Sequence, residues 1–411
     1  MNKSISRFIK IYPWFFGMSG DLLFYIAIDT LFLTIVKKLS DSEIVSITSL
    51  SLLVCIALQF PILFAIKKIG NTASIKVSAF LLLLSSVFIT FGNNYYLILL
   101  GRIFRDSAIT FQSAMVVALE NNLDKIEKRG EFVRIRATAN MTYSIITMVI
   151  SFVVSYMFNF NHYLPMICCV ITCSIGFLLS LFMKDDSCYN KLSESKRKKA
   201  KVKIHYSKFI ISALIVYAVF CTVVANGQSE GKLFIQQNIL LNFNVEQTAV
   251  IIGAIVAVSR IMRVFSNAMI KKLYDRFQSK LGVALPLLLC TAIACMLFGS
   301  FIPFPMAKIS VMALGYMIIL FARDPFNLYM QDVVLEHTPK EQHQTLLTIL
   351  EFAVKIASAG IGLAYSAILI AYPMIVVIAI VFAIAVIEIA LSLKLYAAIK
   401  AGKSAKAYQI E

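Results

Sequence analysis

Charge is scarce in this 411-residue sequence: Asp, Glu, Lys and Arg make up 15% of it, against roughly 25% in a soluble domain. Hydrophobic residues make up 59%, where a soluble chain carries about 45–50%, and the mean hydropathy is +0.81. That balance excludes a soluble enzyme, a secreted disulfide-bonded domain and a disordered scaffold. Histidine is scarcer still. His162, His205, His337 and His343 all fall outside the apolar runs, which removes an intramembrane histidine relay and a histidine-ligated metal site. The chain has no G-x-x-x-x-G-K-[ST] loop to cradle phosphates and no HExxH pair, and nothing in it reads as a Ser/His/Asp set. No enzymatic activity, no cofactor and no ATP-driven step is expected of it.

What is present is a series of apolar runs, each long enough to cross a bilayer, since about 20 helical residues at ~1.5 Å each span the ~30 Å hydrocarbon layer. Twelve are predicted: Ile11–Val36, Ile44–Ile66, Ile75–Gly92, Tyr95–Leu119, Phe132–Phe158, Tyr163–Met183, Lys208–Gly227, Thr248–Ile270, Leu281–Ile302, Ala307–Val334, Leu346–Ala371 and Tyr372–Leu393. The first is too long for a signal-peptide core and contains Asp21 and Asp29, so it reads as a retained span. The expected fold is an all-α integral membrane protein of twelve transmembrane helices in two six-helix bundles.

The net charge of +17 would suggest nucleic acid in a soluble protein, but its distribution points elsewhere. Counting the span ends, 29 of the 39 Lys and Arg fall on one side of the predicted membrane and four (Lys37, Lys38, Lys232, Lys308) on the other. This asymmetry predicts a multi-pass protein of the cytoplasmic membrane with both termini cytoplasmic, and no nucleic-acid partner. Seven of the eight cysteines lie in spans; Cys168, Cys169 and Cys173 have no His or carboxylate beside them and read as small packing residues rather than a metal site.

The longest polar stretch, Lys184–Ser207, is strongly basic and splits the chain into a bundle over residues 1–183, a cytoplasmic linker over 184–207 and a second bundle with its tail over 208–411. The halves repeat. Leu63–Gly70 (LFAIKKIG) matches Asn267–Tyr274 (NAMIKKLY) at a shift of 204 residues, and Glu43 meets Gln247 at the same shift. Arg105-Asp106 and Glu120 in and after the fourth span answer Arg323-Asp324 and Glu336 in and after the tenth, with a two-residue slip that Pro325 can absorb. Two six-span halves in parallel repeat are an architecture of alternating-access transporters.

With its six-plus-six spans, inside termini and charged central loop, the whole chain resembles the major facilitator superfamily. Loop motifs add to the resemblance. Asp275-Arg276 with Lys280 after the eighth span is similar to the family's Asp-Arg-x-Gly loop, while Lys67-Lys68-Ile-Gly70 after the second span keeps the basic residues and glycine without the aspartate. In the fourth span, Arg102 is followed four residues later by Asp106 rather than the family's glycine, and the fifth span has no Gly-Pro pair of the drug/proton antiporters. The resemblance implies a secondary transporter working by rocking of two bundles.

An ionisable side chain at the centre of a membrane helix costs roughly 2.5–3.5 kcal/mol, so each one needs a reason. Asp21, Tyr25 and Asp29 step by four and are expected on one side of the first helix, with Asp21 about 15 Å deep and no cation near it in its own span. Arg105, Asp106, Arg260, Arg323, Asp324, Lys355 and Glu388 map to the middle thirds of their spans. Neighbouring Arg-Asp residues point about 100° apart and are expected to need partners on other helices or a substrate. Glu351 and Lys355, four apart, suit either a same-helix ion pair or a cavity lining. Asn226, Gln228 and Glu230, just past the seventh apolar run, suit an outer gate or helix end. The cytoplasmic gate is expected from Lys67, Lys68 and Glu120 in one half and Asp275, Arg276 and Glu336 in the other.

The expected function is proton-linked transport of a small polar or zwitterionic organic solute by a monomer among membrane lipids, with Asp21 as coupling carboxylate and Arg105 or Arg323 as its counter-charge. Export or flipping of an amphipathic or lipid-linked molecule, or a non-transporting receptor or scaffold on a transporter fold, are the alternatives.

Overall fold

A computed structural model describes residues 3–128, 131–184, 208–336 and 343–407; the basic linker, beyond Lys184, lies outside the described residues. The described chain is built of helices: α1 Lys3–Ser19, α2 Leu23–Leu31 with a π-helical turn Phe32–Val36, α3 Asp41–Ile69, α4 Asn71–Phe91, α5 Tyr95–Phe111, α6 Ser113–Lys125, α7 Phe132–Phe160, α8 Leu164–Leu181, α9 Lys208–Leu240, α10 Val245–Phe277, α11 Leu281–Gly299, α12 Pro305–Glu336, α13 His343–Ala371 and α14 Met374–Ala407. Taken together, α1 with α2 and α5 with α6 each make one span, which gives the twelve expected. Eleven stretches are long and apolar enough to cross a membrane. The fourth does not qualify because Gln112 interrupts it and its first half carries Arg102, Arg105 and Asp106.

Two compact units result: Met1–Ala200 with Ala249–Ala257, and Lys201–Thr248 with Val258–Glu411. In the first, α1 packs on α7 and α8, α3 on α5, and α4 on α5 and α8. Phe8, Tyr12, Phe15, Ile75, Met115 and Leu119 fill its core at one end. In the second, α9 packs on α12, α13 and α14, and α11 on α12 and α14, with the Phe220 and Phe326 rings stacked 3.6 Å apart between α9 and α12. Large apolar side chains stay exposed outside these cores, among them Phe60, Phe64, Phe301 and Ile370. A surface of that kind fits a solvent of lipid tails rather than water.

The repeat seen in the sequence recurs in the backbone. Ser40 and Glu43 form a reciprocal capping box that starts α3, and 204 residues on, Asn244 and Gln247 form one that starts α10. Two expectations need correction. The seventh span does not stop at Gly227 but runs as one helix to Leu240, so Asn226, Gln228 and Glu230 lie in mid-helix. Lys232, assigned to an outer loop, is in the same helix and buried. Polar residues within that helix broke the apolar run but not the helix, because their side chains are turned into the unit and largely buried.

Candidate functional site

The first span is broken where Gly20 and Asp21 meet. A Cβ on Gly20 would lie 2.8 Å from the Phe16 carbonyl oxygen and 3.1 Å from the Tyr143 ring, so a side chain there would force one of them to move. In a membrane the backbone groups freed by such a break must find partners nearby. The Leu22 N–H donates to Asp21 Oδ1 at 2.8 Å, and the Ser19 carbonyl accepts from Gln112 Nε2 at 2.6 Å. Gln112 is itself the interruption between α5 and α6. The two discontinuities of this unit therefore lie side by side, with the Gln112 side chain serving the Ser19 carbonyl.

Beside them stands the strongest ion pair of the unit. Arg105 grips Asp21 with both arms, Nε to Oδ1 and Nη2 to Oδ2 each at 2.5 Å, and both side chains are about 15% exposed. This bidentate match of planar guanidinium and carboxylate is the strongest geometry available to such a pair. Arg105 Nη1 also lies 3.4 Å from Asp106 Oδ1. Asp106 Oδ2 accepts from Ser51 Oγ of α3 at 2.8 Å, and Arg102 Nε stands 3.9 Å from it. Adjacent Arg and Asp do reach each other here, contrary to the expectation from helix geometry, because the long arginine side chain folds back across the ~100° between them. Asp21 sits in the break rather than in the helix of Tyr25 and Asp29, which belong to α2, yet the three stay neighbours: Arg102, Asp29, Arg105 and Asp21 are the charged groups around the buried Tyr25, and Asp29 accepts from the Thr30 N–H.

The second unit answers with a different balance. Asp324 of α12 accepts from Arg263 Nε of α10 at 2.7 Å and from Asn267 Nδ2 at 3.0 Å, while Arg323 Nε is 3.9 Å away. The charged groups acting most strongly on Arg323 are Arg263, Asp324 and Arg260. Arg260 keeps a buried Nε without a hydrogen-bond partner. Arg263, Asn267 and Ser51, absent from the expected site, are the partners that the Arg-Asp pairs needed; Asn267 opens the repeated NAMIKKLY motif, which was the available signal.

Elsewhere in this unit, Glu388 is fully buried in α14, its Oε1 accepting from Ser392 Oγ at 3.0 Å and its Oε2 buried without a partner. Glu230 is 4% exposed and takes the Ser229 hydroxyl. No ion pair joins Glu351 and Lys355 among the described residues. At the ends of α10 and α12, Tyr274 donates to Asp332, and the Arg276 guanidinium lies over the Phe277 ring at 5.9 Å. Asp275, Lys67 and Lys68 are exposed, Glu120 is half-buried, and the Glu336 side chain lies outside the described residues. No group of three or more His, Cys, Asp or Glu able to hold a metal ion occurs among the described residues.

The family model of the major facilitator superfamily matches residues 14–359. The chain belongs to that superfamily. Among solved structures, the nucleoside transporter NupG superposes with a TM-score of 0.75 at 12% identity, covering 97% of this chain and all of that one. A bacterial homologue of the iron transporter ferroportin, inward-facing, gives 0.66 at 10% identity, covering 96% and 99%. A bacterial homologue of the human lysosomal transporter Spinster, inward-facing and occupied, gives 0.65 at 12% identity, covering 95% and 96%. No curated protein matches the sequence. At these identities the likeness shows a shared fold, and this superfamily member is a multi-pass transporter and not an enzyme.

Proposed function

We propose that this transporter moves a small polar or zwitterionic organic solute by alternating access, linked to protons, in the cytoplasmic membrane with both termini inside. The observation that carries the reading is the Asp21–Arg105 pair held at two adjoining helix breaks. Discontinuous helices are where transporters of this kind expose backbone and charge to a substrate. Arg105 has two carboxylates within reach, Asp21 at 2.5 Å and Asp106 at 3.4 Å. A proton arriving on Asp21 removes the stronger partner, and the guanidinium turns to Asp106. That gives the span two arrangements, and a ligand or proton that favours one shifts the population toward it. Nucleosides, the cargo of the NupG transporter, are one class of small polar solute to test, with amino acids and sugar phosphates beside them.

The test uses one set of proteoliposomes. Counterflow exchange and pH-gradient-driven uptake are measured for a panel of labelled nucleosides, amino acids and sugar phosphates. Asp21→Asn is expected to abolish proton-driven accumulation while exchange continues at a reduced rate. Unimpaired accumulation in the variant removes Asp21 from coupling, and equal loss of both activities assigns it to structure. For orientation, an impermeant thiol reagent on intact cells should miss Cys188; efficient labelling there reverses the topology.

A further inference from the structure

Three guanidiniums and one carboxylate form a cluster in the second unit. Arg263 and Arg323 reach Asp324, Arg260 acts on Arg323, and Asp324 spends its oxygens on Arg263 and Asn267. On α10, Arg260, Arg263 and Asn267 fall within about 60° of one another on the helical wheel. The exposed apolar residues of the same helix, Ile261, Val264 and Phe265, occupy a separate arc. On α12, Arg323, Asn327 and Gln331 step by four and form a second polar stripe, with Asn327 accepting from Cys221 Sγ at 3.2 Å. The stripes meet at Asp324. Arg323 is 39% exposed at the side chain and touches Asp324 only at 3.9 Å, and Arg260 holds a buried Nε with no acceptor. Donors are thus in surplus deep within two spans, where uncompensated cations are disfavoured.

We propose that Arg260, Arg263 and Arg323 form a binding site for an oxyanion, a carboxylate or phosphate group carried by the transported solute. This rests on the transport reading above and narrows its substrate class to organic acids, acidic zwitterions and phosphorylated solutes. Guanidinium suits that ligand because its planar fork matches two oxygens of a carboxylate or phosphate at once, which an ammonium cannot do. Arg263 is the fixed member, locked on Asp324. Arg323 and Arg260 are the free ones, with hydrogen-bonding capacity left for the ligand. In the first unit, Asp21 and Asp106 occupy Arg105, and Arg102, whose Nε is also buried without a hydrogen-bond partner, has Asp106 3.9 Å away, so two acids there stand with two arginines.

The experiment is a melting-temperature titration of the purified full-length protein in nanodiscs of neutral lipid. The probes are inorganic phosphate, succinate and glycerol 3-phosphate, with glycerol and sodium chloride at matched ionic strength as controls. A site of this kind raises the melting temperature with the three oxyanions and not with the controls, because a ligand that binds the folded state stabilises it. Arg323→Gln and Arg260→Gln should each weaken the apparent affinity at least tenfold. Arg323→Lys should fall between wild type and Arg323→Gln, since it keeps the charge and loses the fork. No oxyanion response in wild type overturns the proposal, as does an undiminished response in both Gln variants. If instead nanodiscs containing phosphatidylglycerol saturate the response before any soluble anion is added, the ligand is a lipid headgroup and the substrate assignment falls. Counterflow on the same preparation separates the two readings: exchange of neutral or cationic solutes without any oxyanion response leaves the transporter standing and removes this site.

Discussion

The two halves of this transporter start from the same motif, an Arg-Asp pair in the middle of a span, and resolve it in opposite ways. In the first, the arginine is claimed by a carboxylate from another helix, and two arginines, Arg102 and Arg105, stand with two aspartates, Asp21 and Asp106. In the second, the aspartate is claimed by an arginine from another helix, with Arg323 beside it and Arg260 beside Arg323, so three arginines stand with one aspartate. The difference comes from the element paired with the motif. The first span of the chain contributes an acid, whereas α10 contributes Arg260, Arg263 and an amide. An internal repeat thus keeps the position of a charge pair while the neighbouring helix decides whether the cluster around it ends up balanced or cationic. Balance suits a coupling element that rearranges internally; surplus positive charge suits a site that waits for an anion.

The largest expected effect follows from removing the lone carboxylate. Asp324→Asn leaves Arg263 without its 2.7 Å partner and removes the one acid among the charged groups acting most strongly on Arg323, which include Arg263 and Arg260. Breaking a fully buried pair from one side costs about 3–5 kcal/mol, and with the Arg263 side chain 32% exposed the loss here should fall at the lower end. The variant should lose most of its folded yield by fluorescence-detected size exclusion, and Arg263→Gln/Asp324→Asn together should recover part of it. Equal yields of the single variant and wild type would mean that Asp324 is not what holds this cluster.

A smaller effect is expected in the first half, because Arg105 has a second acid in reach. Asp21→Asn should cost about 1.5–3 kcal/mol, the scale of losing hydrogen bonds to a charged group. Asp21→Asn/Asp106→Asn should cost more than the sum of the two single changes, since each aspartate backs up the other for the same guanidinium. Thermal denaturation of the four proteins closes that cycle, and strict additivity would show that Arg105 does not switch between them.

Much of this was legible in the sequence, for physical reasons that can be named. Span number follows from hydropathy, since a bilayer forces long apolar helices, and the capping boxes at Ser40 and Asn244 are short-range signals repeated at a fixed shift. A midplane acid requires a counter-charge, and Arg105 and Arg323 were the candidates for Asp21; the choice of Arg105 took the structure. What stayed hidden depends on tertiary contact. The break at Gly20–Asp21 is invisible to hydropathy, because Gly20 and Asp21 are flanked by apolar residues. The length of α9 was hidden for the opposite reason: its buried Asn226, Glu230, Lys232 and Gln236 look like a loop to any window average. Arg263 went unranked because nothing local marks it; its role exists only through Asp324, 61 residues away.

The break itself can be tested against its surroundings. Gly20→Ala sets a methyl group against the Phe16 carbonyl and the Tyr143 ring, and small-to-large changes at close-packed sites cost about 1–3 kcal/mol. The first unit should lose stability without losing charge. Tyr143→Leu, which trims the ring, should restore part of the loss in the double variant, as read by melting temperature. A Gly20→Ala protein as stable as wild type would show that the break has room to spare and is not set by packing.

The smallest effect compares the two ends of the repeated Ile-Lys-Lys motif. Gly70 closes α3 at φ +81° and ψ 168°, a conformation essentially restricted to glycine. At the matching position, 204 residues later, Tyr274 continues α10 to Phe277 and donates to Asp332. No atom outside the immediate chain lies within 4 Å of a Cβ placed on Gly70, so Gly70→Ala meets no clash and its cost is backbone strain alone, about 1 kcal/mol after the exposed helix end relaxes. Gly70→Asn should cost about as much, because asparagine eases only the left-handed helical region and not this one. Tyr274→Phe removes one half-exposed hydrogen bond without strain and should cost about 0.5 kcal/mol. Melting temperatures of the three variants should therefore fall together for the two Gly70 changes and less for Tyr274→Phe. A larger loss from Tyr274→Phe would make the α10–α12 end, and not the α3 turn, the tighter of the two matched closures.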